Sequence, residues 1–287
     1  MDRVDFAFIG FGEAGMAFAR WGTRVYDRKT DVPTTRAAKR EEYRTIGVLG
    51  CDSAAEAVGG AGAVLSLVTA DQALAAARAY APLLPAGALW LDMNSVAPGT
   101  KRTAAEAVEA AGGRYVDVAV MAPVHPRKLD VPLLLSGIHA EAGLAVLHGI
   151  GFTDARIIAG PVGAAAAVKM IRSVLVKGVE ALTAECLLAA EAAGVAGEVL
   201  ASLDATPPRG SWSAQADYNL DRMMLHGERR AAEMEEALAT LEDLGAAHAM
   251  TRGTIAWQRA LGALGLTPAP GLGAKIAAIR TGGGVAA

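Results

Sequence analysis

The 287-residue sequence is poor in cysteine and in aromatic residues, with two cysteines and 5% Phe, Trp and Tyr together. Two cysteines cannot form the disulfide framework on which small secreted proteins depend. We therefore expect Cys51 and Cys186 to be small buried side chains in a reducing compartment. Alanine supplies much of the 53% hydrophobic content, and such small side chains suit helices that pack closely on one another and on a sheet.

The sequence also lacks a strong net charge and a long apolar run. A formal net charge of −3 gives no support for binding to nucleic acid or to an anionic membrane. No uncharged run reaches the ~20 residues that a membrane-spanning helix needs, and the amino terminus shows no export signal. No His/Cys cluster has metal-ligand spacing, and no Ser-His-Asp arrangement can be argued. These absences predict a soluble cytoplasmic protein without a metal site.

What the sequence does contain is a glycine-rich motif at the end of its first apolar run. Residues 6–9 are apolar and lead into Gly10-x-Gly12-x-x-Gly15. In this motif the first glycine allows a tight turn, the second lets the backbone approach a pyrophosphate, and the third lets the next helix pack against its strand. An ordinary strand–turn–helix is the alternative, but a second predicted strand at 24–27 favours a dinucleotide-binding unit.

The end of the second predicted strand bears on the choice of cofactor. Asp27 is placed to accept hydrogen bonds from ribose hydroxyls, which favours NAD, whereas Arg28 and Lys29 could neutralise the 2′-phosphate of NADP. Asp27 lies 12 positions after Gly15, fewer than the usual ~20, so the helix between them must be short. We expect NAD, with NADP as the alternative. The candidate cofactor-binding residues are Gly10, Phe11, Gly12, Glu13, Ala14, Gly15, Asp27, Arg28, Val68, Thr69 and Asn94.

Short apolar runs alternate with helical patterns through the first half of the chain. The predicted strands lie at 6–10, 24–27, 63–68, 88–92, 114–120 and 133–136. Helical patterns include 72–80 and 101–111, and an αβ-like stretch at 141–158 closes this half. Such alternation is typical of a mostly parallel, doubly wound sheet. We predict an α/β fold with a Rossmann domain for NAD(P) at 1–160.

Strand patterns end at Gly160-Pro161. Helical patterns then cover 162–193, 196–203, 219–244 and 246–264, with a break at 206–210. We predict an all-helical second domain at 161–287 that supplies substrate binding and a dimer interface. The helix at 162–193 is so rich in alanine that the remaining residues would not cover its apolar face, which favours a homodimer.

One face of this first long helix carries the candidate catalytic residue. Lys169 and Ser173 are four residues apart, so their side chains point the same way and lie about one turn apart. The neighbours of Lys169 in the sequence are mostly apolar. Desolvation among them would favour the neutral form of the lysine, which suits a residue that must exchange a proton near neutral pH. The alternative is that Lys169 extends to the surface, as most helix lysines do.

The motif Gly160-x-x-Gly163-x5-Lys169-x3-Ser173 resembles the catalytic helix of the β-hydroxyacid dehydrogenase family, the relatives of 6-phosphogluconate dehydrogenase. The family pattern has a third glycine where this chain has Ala165, and an asparagine where it has Ser173. These departures, with the runs 163–178 and 228–236, resemble a divergent branch of the family. In that branch a 6-phosphogluconate-dehydrogenase-type domain precedes a helical domain of unassigned function.

The family's substrate loop, Asp-x-Pro-Val-Ser-Gly-Gly, corresponds to residues 117–123, where only Asp117 and Val120 match. A loop without its glycines binds a carboxylate through backbone less freely, which puts a small 3-hydroxy acid substrate in doubt. The resemblance implies that Lys169 acts as general acid or base while nicotinamide exchanges a hydride with the substrate. Ser95, which matches the serine or threonine after the family's fourth strand, would hold the substrate together with Ser173.

Two consecutive arginines, Arg229 and Arg230, could clamp an anionic substrate; the alternative is that they form solvated ion pairs on an exposed helix. In relatives the helical domain of one subunit reaches the cleft of the other, so the resemblance implies a dimer with shared sites. The candidate substrate-binding residues are Ser95, Met121, Ala122, Pro123, Ser173, Arg229 and Arg230.

The sequence therefore favours an NAD(P)-dependent dehydrogenase that acts on a small anionic substrate. Imine reductases share the scaffold, but they generally have another residue at the lysine position, so Lys169 argues against that reaction. A dinucleotide-binding protein without turnover is the remaining alternative.

Overall fold

A computed structural model describes residues 5–205, 210–243 and 245–282. The chain divides into two compact units, Met1–Val174 and Leu175–Ala287. The division falls inside a long helix that starts at Ala164, whereas the sequence placed a domain boundary at 160. The first turns of this helix go with the first unit because they are hydrogen-bonded to the sheet.

The first unit is built on one eight-stranded sheet. The strands are β1 (Phe6–Ile9), β2 (Arg24–Tyr26), β3 (Leu49–Gly50), β4 (Ala63–Ser66), β5 (Leu89–Asp92), β6 (Arg114–Val120), β7 (Leu133–Ser136) and β8 (Ala155–Ile157). Their order is β3-β2-β1-β4-β5-β6-β7-β8, and every neighbouring pair is parallel except β6–β7. The predicted α/β class with a mostly parallel, doubly wound sheet is confirmed.

Helices cover both faces of this sheet. They are α1 (Glu13–Phe18), α2 (Pro33–Ile46), α3 (Ala54–Val58), α4 (Ala73–Tyr80), α5 (Pro98–Ala110) and α6 (Ala140–Ile150). Two separate apolar clusters fill the layers between helices and sheet. Strands β4 and β5 are buried along their whole length, which explains why they read as continuous apolar runs in the sequence.

The second unit contains helices only among its described residues. The long helix α7 (Ala164–Ala192) leads into it and is followed by α8 (Ala196–Asp204), α9 (Trp212–Asp243), α10 (Ala249–Ala263) and α11 (Leu272–Thr281). The predicted helical character is confirmed, although α9 begins seven residues before the predicted start at 219. Residues 206–209 of the predicted break lie outside the described residues.

Helices α9 and α10 form a closely packed antiparallel pair. A Cβ atom on Gly227 would lie 2.2 Å from the carbonyl oxygen of Gln258, and one on Gly262 would lie 2.5 Å from the backbone nitrogen of Glu228. Only glycine at both positions allows the two backbones to approach this closely. Helix α11 is tied to α9 by the buried Lys275, which contacts Asp217 and Asp221 at 2.7 and 2.8 Å.

The two cysteines differ in their surroundings. Cys51 is buried, as expected, and burial raises the pKa of its thiol. Cys186 is only partly buried, so the expectation of a buried side chain is wrong there. Within the part of the chain that the structure describes, no helix is long and apolar enough to cross a membrane.

Candidate active site

The glycine-rich loop lies at the carboxyl ends of the central strands, where the strand order changes direction. Gly10 has a φ of +89°, and a Cβ there would lie 2.6 Å from the carbonyl oxygen of Leu67, so this turn requires glycine. A Cβ on Gly12 would meet nothing within 4 Å, whereas one on Gly15 would lie 3.1 Å from the carbonyl oxygen of Gly10. The loop is therefore open at Gly12 and closely packed at Gly15, as binding of a pyrophosphate requires.

Asp27 fixes the conformation of this loop from the end of β2. Its Oδ2 accepts a hydrogen bond from the backbone N–H of Phe11 at 2.8 Å, and its Oδ1 accepts one from Lys29 at 2.9 Å. The Phe11 ring is buried and stacks edge-on against Tyr43 at 5.3 Å between ring centroids. Phe11 therefore presents only backbone to a cofactor. The short crossover expected before Asp27 is confirmed by the six residues of α1.

The other candidate cofactor residues surround the same edge of the sheet. Arg28 donates to the side-chain oxygen of Gln72 at 2.6 Å, beside Thr69, which follows β4. Hydrogen bonds from Gln72 and Thr69 lower the pKa of the neighbouring Asp71. The remaining members differ in exposure: Glu13 and Thr69 are exposed, whereas Ala14 and Val68 are half-buried.

Asn94 is buried just after β5, and only part of its side-chain amide is hydrogen-bonded. Its amide nitrogen donates to the Ser66 hydroxyl at 2.9 Å and to Asp92 at 2.8 Å. Its Oδ1 is buried and has no hydrogen-bond partner among the described residues. Buried acceptors are normally paired, so a donor from a bound ligand fits here. Together with the open Gly12, this unpaired oxygen indicates that the residues present fit a dinucleotide.

Lys169 and Ser95 meet beside this edge, although 74 positions separate them in the sequence. The ammonium group of Lys169 donates to the Ser95 hydroxyl at 2.5 Å. Lys169 is half-buried near the start of α7, while Ser95 is exposed in the loop after β5. The Ser173 hydroxyl, one turn further along α7, donates to the Lys169 carbonyl at 2.9 Å. Because that donation uses its only proton, Ser173 can meet a substrate only as an acceptor.

The start of α7 is held by two side chains of the sheet. The Asp117 Oδ2 accepts from the backbone N–H groups of Gly163 and Ala166 at 3.0 and 3.1 Å. The Ser136 hydroxyl accepts from the N–H of Ala165 at 3.0 Å and donates to Asp117 at 3.0 Å. A carboxylate at the amino end of a helix satisfies free N–H groups and is favoured by the helix dipole. These bonds fix the first turns of the helix that carries Lys169.

A buried ion cluster lies beneath this cap. Lys101 is 1% exposed, and its ammonium group lies 3.0 Å from Asp92 Oδ1 and 3.4 Å from Asp117 Oδ1. The Tyr115 hydroxyl donates to the other oxygen of Asp92 at 2.6 Å, and burial together with that carboxylate raises the pKa of Tyr115. This cluster was not predictable from the sequence, because a helix lysine normally faces solvent; only Asp117 was marked, through the family motif.

The substrate loop follows β6 and runs beside α7. Met121 donates its backbone N–H to Pro132 at 2.8 Å, and its carbonyl accepts from Arg172 of α7 at 3.5 Å. Met121 and Ala122 are half-buried, whereas Pro123 is exposed. The loop is therefore near the start of α7, the helix that carries Lys169.

The remaining candidates, Arg229 and Arg230, belong to α9 of the helical unit. Arg229 is exposed, whereas Arg230 is half-buried and lines a small cavity with residues of α9 and α10. The two arginines therefore differ in their exposure, and their binding to an anion stays a prediction.

A further cavity, of about 1190 Å³, opens at the amino ends of the strands, on the opposite edge of the sheet. Arg20, Trp21 and Arg114 line it, and none of the candidate cofactor-binding, substrate-binding or catalytic residues does. The chemistry-bearing side chains therefore lie at the other edge, where parallel sheets bind their ligands.

This architecture is that of an NAD(P)-binding protein of the hydroxyacid dehydrogenase type, and comparison with known proteins identifies the family. Residues 5–124 match the NAD binding domain of 6-phosphogluconate dehydrogenase. Residues 190–261 match a domain of unknown function, DUF1932. A conserved hypothetical protein from Sinorhizobium meliloti 1021 is 36% identical over 98% of this chain and 97% of its own, with a TM-score of 0.59. The chain therefore belongs to the 6-phosphogluconate dehydrogenase-like superfamily, in the branch with a helical domain of unknown function.

Two other solved structures extend this comparison. The conserved protein MTH1747, described as structurally similar to 3-hydroxyacid dehydrogenases, is 29% identical over 89% of this chain and 96% of its own, with a TM-score of 0.56. An imine reductase from Myxococcus stipitatus in complex with NADP+ has a TM-score of 0.71 over 90% of this chain and 94% of its own. At 21% identity this last likeness shows the fold alone.

Proposed function

We propose that the protein is an NAD(P)-dependent oxidoreductase that transfers a hydride between nicotinamide and the hydroxyl- or carbonyl-bearing carbon of a small anionic substrate. The observation that carries this proposal is the 2.5 Å contact between Lys169 and Ser95, beside the edge of the sheet that carries the glycine-rich loop. The family membership and the likeness of MTH1747 to 3-hydroxyacid dehydrogenases support the same reaction class.

In this proposal Lys169 takes the proton of the substrate hydroxyl during oxidation and returns it to the carbonyl oxygen during reduction. A bound NAD(P) supplies the hydride acceptor or donor. The Ser95 hydroxyl, which accepts from Lys169, keeps its own proton to donate to a substrate oxygen. Ser173 offers an acceptor one turn away. Met121, Ala122 and Pro123 form the wall of the substrate site, and Arg229 and Arg230 are proposed to bind the anionic end of the substrate.

Imine reduction is the second candidate, favoured by the fold-level likeness to the Myxococcus stipitatus enzyme. The Lys169–Ser95 pair supports oxygen chemistry in this proposal, because such donors would stabilise the negative charge that develops on a carbonyl oxygen. A panel of hydroxy acids, ketones and cyclic imines, followed by nicotinamide absorbance, separates the two reactions. Activity with imines alone would contradict the dehydrogenase proposal, and no turnover of any compound despite cofactor binding would favour a non-catalytic dinucleotide-binding protein.

We propose NAD as the preferred cofactor. The Asp27 oxygens keep lone pairs for ribose hydroxyls after accepting from Phe11 and Lys29, whereas a 2′-phosphate would place further negative charge beside that carboxylate. Arg28 is already engaged by Gln72. Dissociation constants for NADH and NADPH, measured by fluorescence titration, test the choice. A tenfold preference for NADPH, equivalent to about 1.4 kcal/mol, would overturn it.

We propose that a second copy of the chain covers the exposed face of α7. Five apolar side chains at helical spacing remain exposed along that helix: Val168, Ile171, Leu175, Val179 and Leu182. The spacing of 3, 4, 4 and 3 residues places them in one stripe, and a contiguous exposed apolar surface favours association. Light scattering is expected to give the mass of a dimer, and a monomer at micromolar concentration would contradict the proposal.

In a dimer whose active sites each contain residues of both chains, a variant defective in Lys169 and a variant defective in the two arginines should complement each other. A Lys169→Ala chain mixed with an Arg229→Ala/Arg230→Ala chain is expected to recover activity that neither homodimer has, because one site of each heterodimer is intact. Mixing two preparations of the Lys169→Ala chain is the control and recovers nothing. A dimer without recovery would reject the shared site while leaving the dimer itself in place.

A further inference from the structure

A small polar cavity lies within the helical unit, between α9 and α10. Its volume is about 280 Å³, and its lining comprises Tyr218, Asn219, Arg222, Met223, Arg230 and Gln258. The close crossing of Gly227 with Gly262 brings the α10 residue Gln258, one turn before Gly262, alongside Arg230 of α9. Two guanidinium groups therefore line one pocket, which is open to solvent at Tyr218 and Asn219.

Two buried polar atoms in this lining are unsatisfied. The Nε of Arg230 and the Oε1 of Gln258 are both buried and have no hydrogen-bond partner among the described residues, and Gln258 is only 7% exposed. Leaving a buried donor, an acceptor or a charge unpaired is costly. Both atoms line the same cavity, so a single ligand could satisfy them together.

The acidic residues nearest in sequence do not supply the missing partner. Asp217 and Asp221 stand beside Tyr218 and Arg222 on α9, but both carboxylates are bound to the buried Lys275 at 2.7 and 2.8 Å. Neither carboxylate is among the residues that line the cavity. The cavity keeps two positive side chains and one unpaired acceptor.

We propose that this cavity is a binding site for a small oxyanion that carries a hydroxyl group. Guanidinium groups recognise carboxylates and phosphates through paired N–H donors, which assigns Arg222 and Arg230 to the oxyanion. The Gln258 oxygen accepts the proton of the hydroxyl. The inference concerns binding alone and holds whether or not the ligand is the substrate of the proposed oxidoreductase.

Calorimetric titration of the full chain tests the site without turnover. Excess NADH and NADPH are present throughout, so that the glycine-rich loop does not bind the probe and no hydride acceptor is available to oxidise malate. Malate, succinate and inorganic phosphate are the probes: malate has the hydroxyl that succinate lacks, and phosphate tests the other kind of oxyanion. Malate is expected to bind about fivefold more tightly than succinate, the effect of one hydrogen bond. Tighter binding of phosphate would support the site and assign its oxyanion to a phosphate.

Matched variants then locate the binding. Arg222→Gln and Arg230→Gln are each expected to weaken malate binding at least tenfold, as for loss of a charge-assisted hydrogen bond. Arg259→Gln removes the same charge from an exposed position next to Gln258 and is expected to leave binding unchanged. An equal loss in all three variants, or no binding of any probe to the unmodified chain, would overturn the proposal.

A final variant places the missing negative charge inside the cavity. Gln258→Glu has nearly the same shape, and its carboxylate can pair with Arg230. It is expected to raise the Tm of the protein and to abolish malate binding, because the cavity then holds its own anion. A lower Tm together with unchanged malate binding would contradict the proposal. Circular dichroism confirms that each variant is folded before it is titrated.

Discussion

Replacing Lys169 with alanine is expected to lower kcat by roughly 10²–10⁴, the usual loss when a general acid–base is removed. The ammonium group contacts Ser95 at 2.5 Å, whereas the glycine-rich loop is the part expected to bind the cofactor phosphates. Dissociation constants for NADH and NADPH should therefore stay nearly unchanged. Steady-state kinetics on the substrate found by the compound panel, together with cofactor titration, measure the two effects separately.

Lys169→Arg is the matched variant for this test. Arginine keeps the positive charge and can still donate to Ser95, but it does not lose its proton in proteins. If Lys169 transfers a proton, Lys169→Arg is expected to be nearly as impaired as Lys169→Ala. If the lysine only supplies charge, the arginine variant should keep most of its activity. A Lys169→Ala enzyme that retains most of its turnover would show that the family role does not apply to this chain.

The strands and most helices were predictable because their local patterns agree with their surroundings. Strand β4 is buried on both faces and therefore reads as a continuous apolar run. Helix α2 was missed because its buried positions are Lys39 and Tyr43, so its sequence shows no apolar stripe. Strand β3 was missed because it has two residues, both exposed, at the edge of the sheet. In both cases the tertiary contacts rather than the local sequence decide the structure.

Individual site residues were predictable, but their partners were not. The motifs marked Lys169 and Ser95 separately, and only the fold shows that they touch across 74 positions. Lys101 carried no signal, since nothing in a helical pattern distinguishes a lysine buried with two carboxylates from one in solvent. The cavity lined by Arg230 and Gln258 depends on the backbone contact at Gly227, which no spacing in the sequence indicates.

Replacing Lys101 with methionine is expected to lower the free energy of unfolding by about 3–5 kcal/mol, the loss typical of a buried ion pair that loses one partner. Methionine has a similar length and is apolar, so packing changes little. Asp92 and Asp117 would remain as two buried carboxylates without their shared cation. Because Asp117 also holds the first turns of α7, we expect the Lys169–Ser95 contact to loosen and kcat to fall in the variant that still folds.

Urea denaturation followed by circular dichroism measures this loss, with Arg40→Met as the matched control. Arg40 pairs with Asp52 on the surface, where both side chains are more than half exposed, and loss of such a pair changes stability by only about 0–1 kcal/mol. Adding Asp92→Asn to Lys101→Met removes one of the two unpaired charges, so the double variant should regain part of the stability. Equal losses for Lys101→Met and Arg40→Met would show that the buried cluster is not needed for stability. A destabilised Lys101→Met enzyme with unchanged kcat would show that the cluster supports the fold without positioning Lys169.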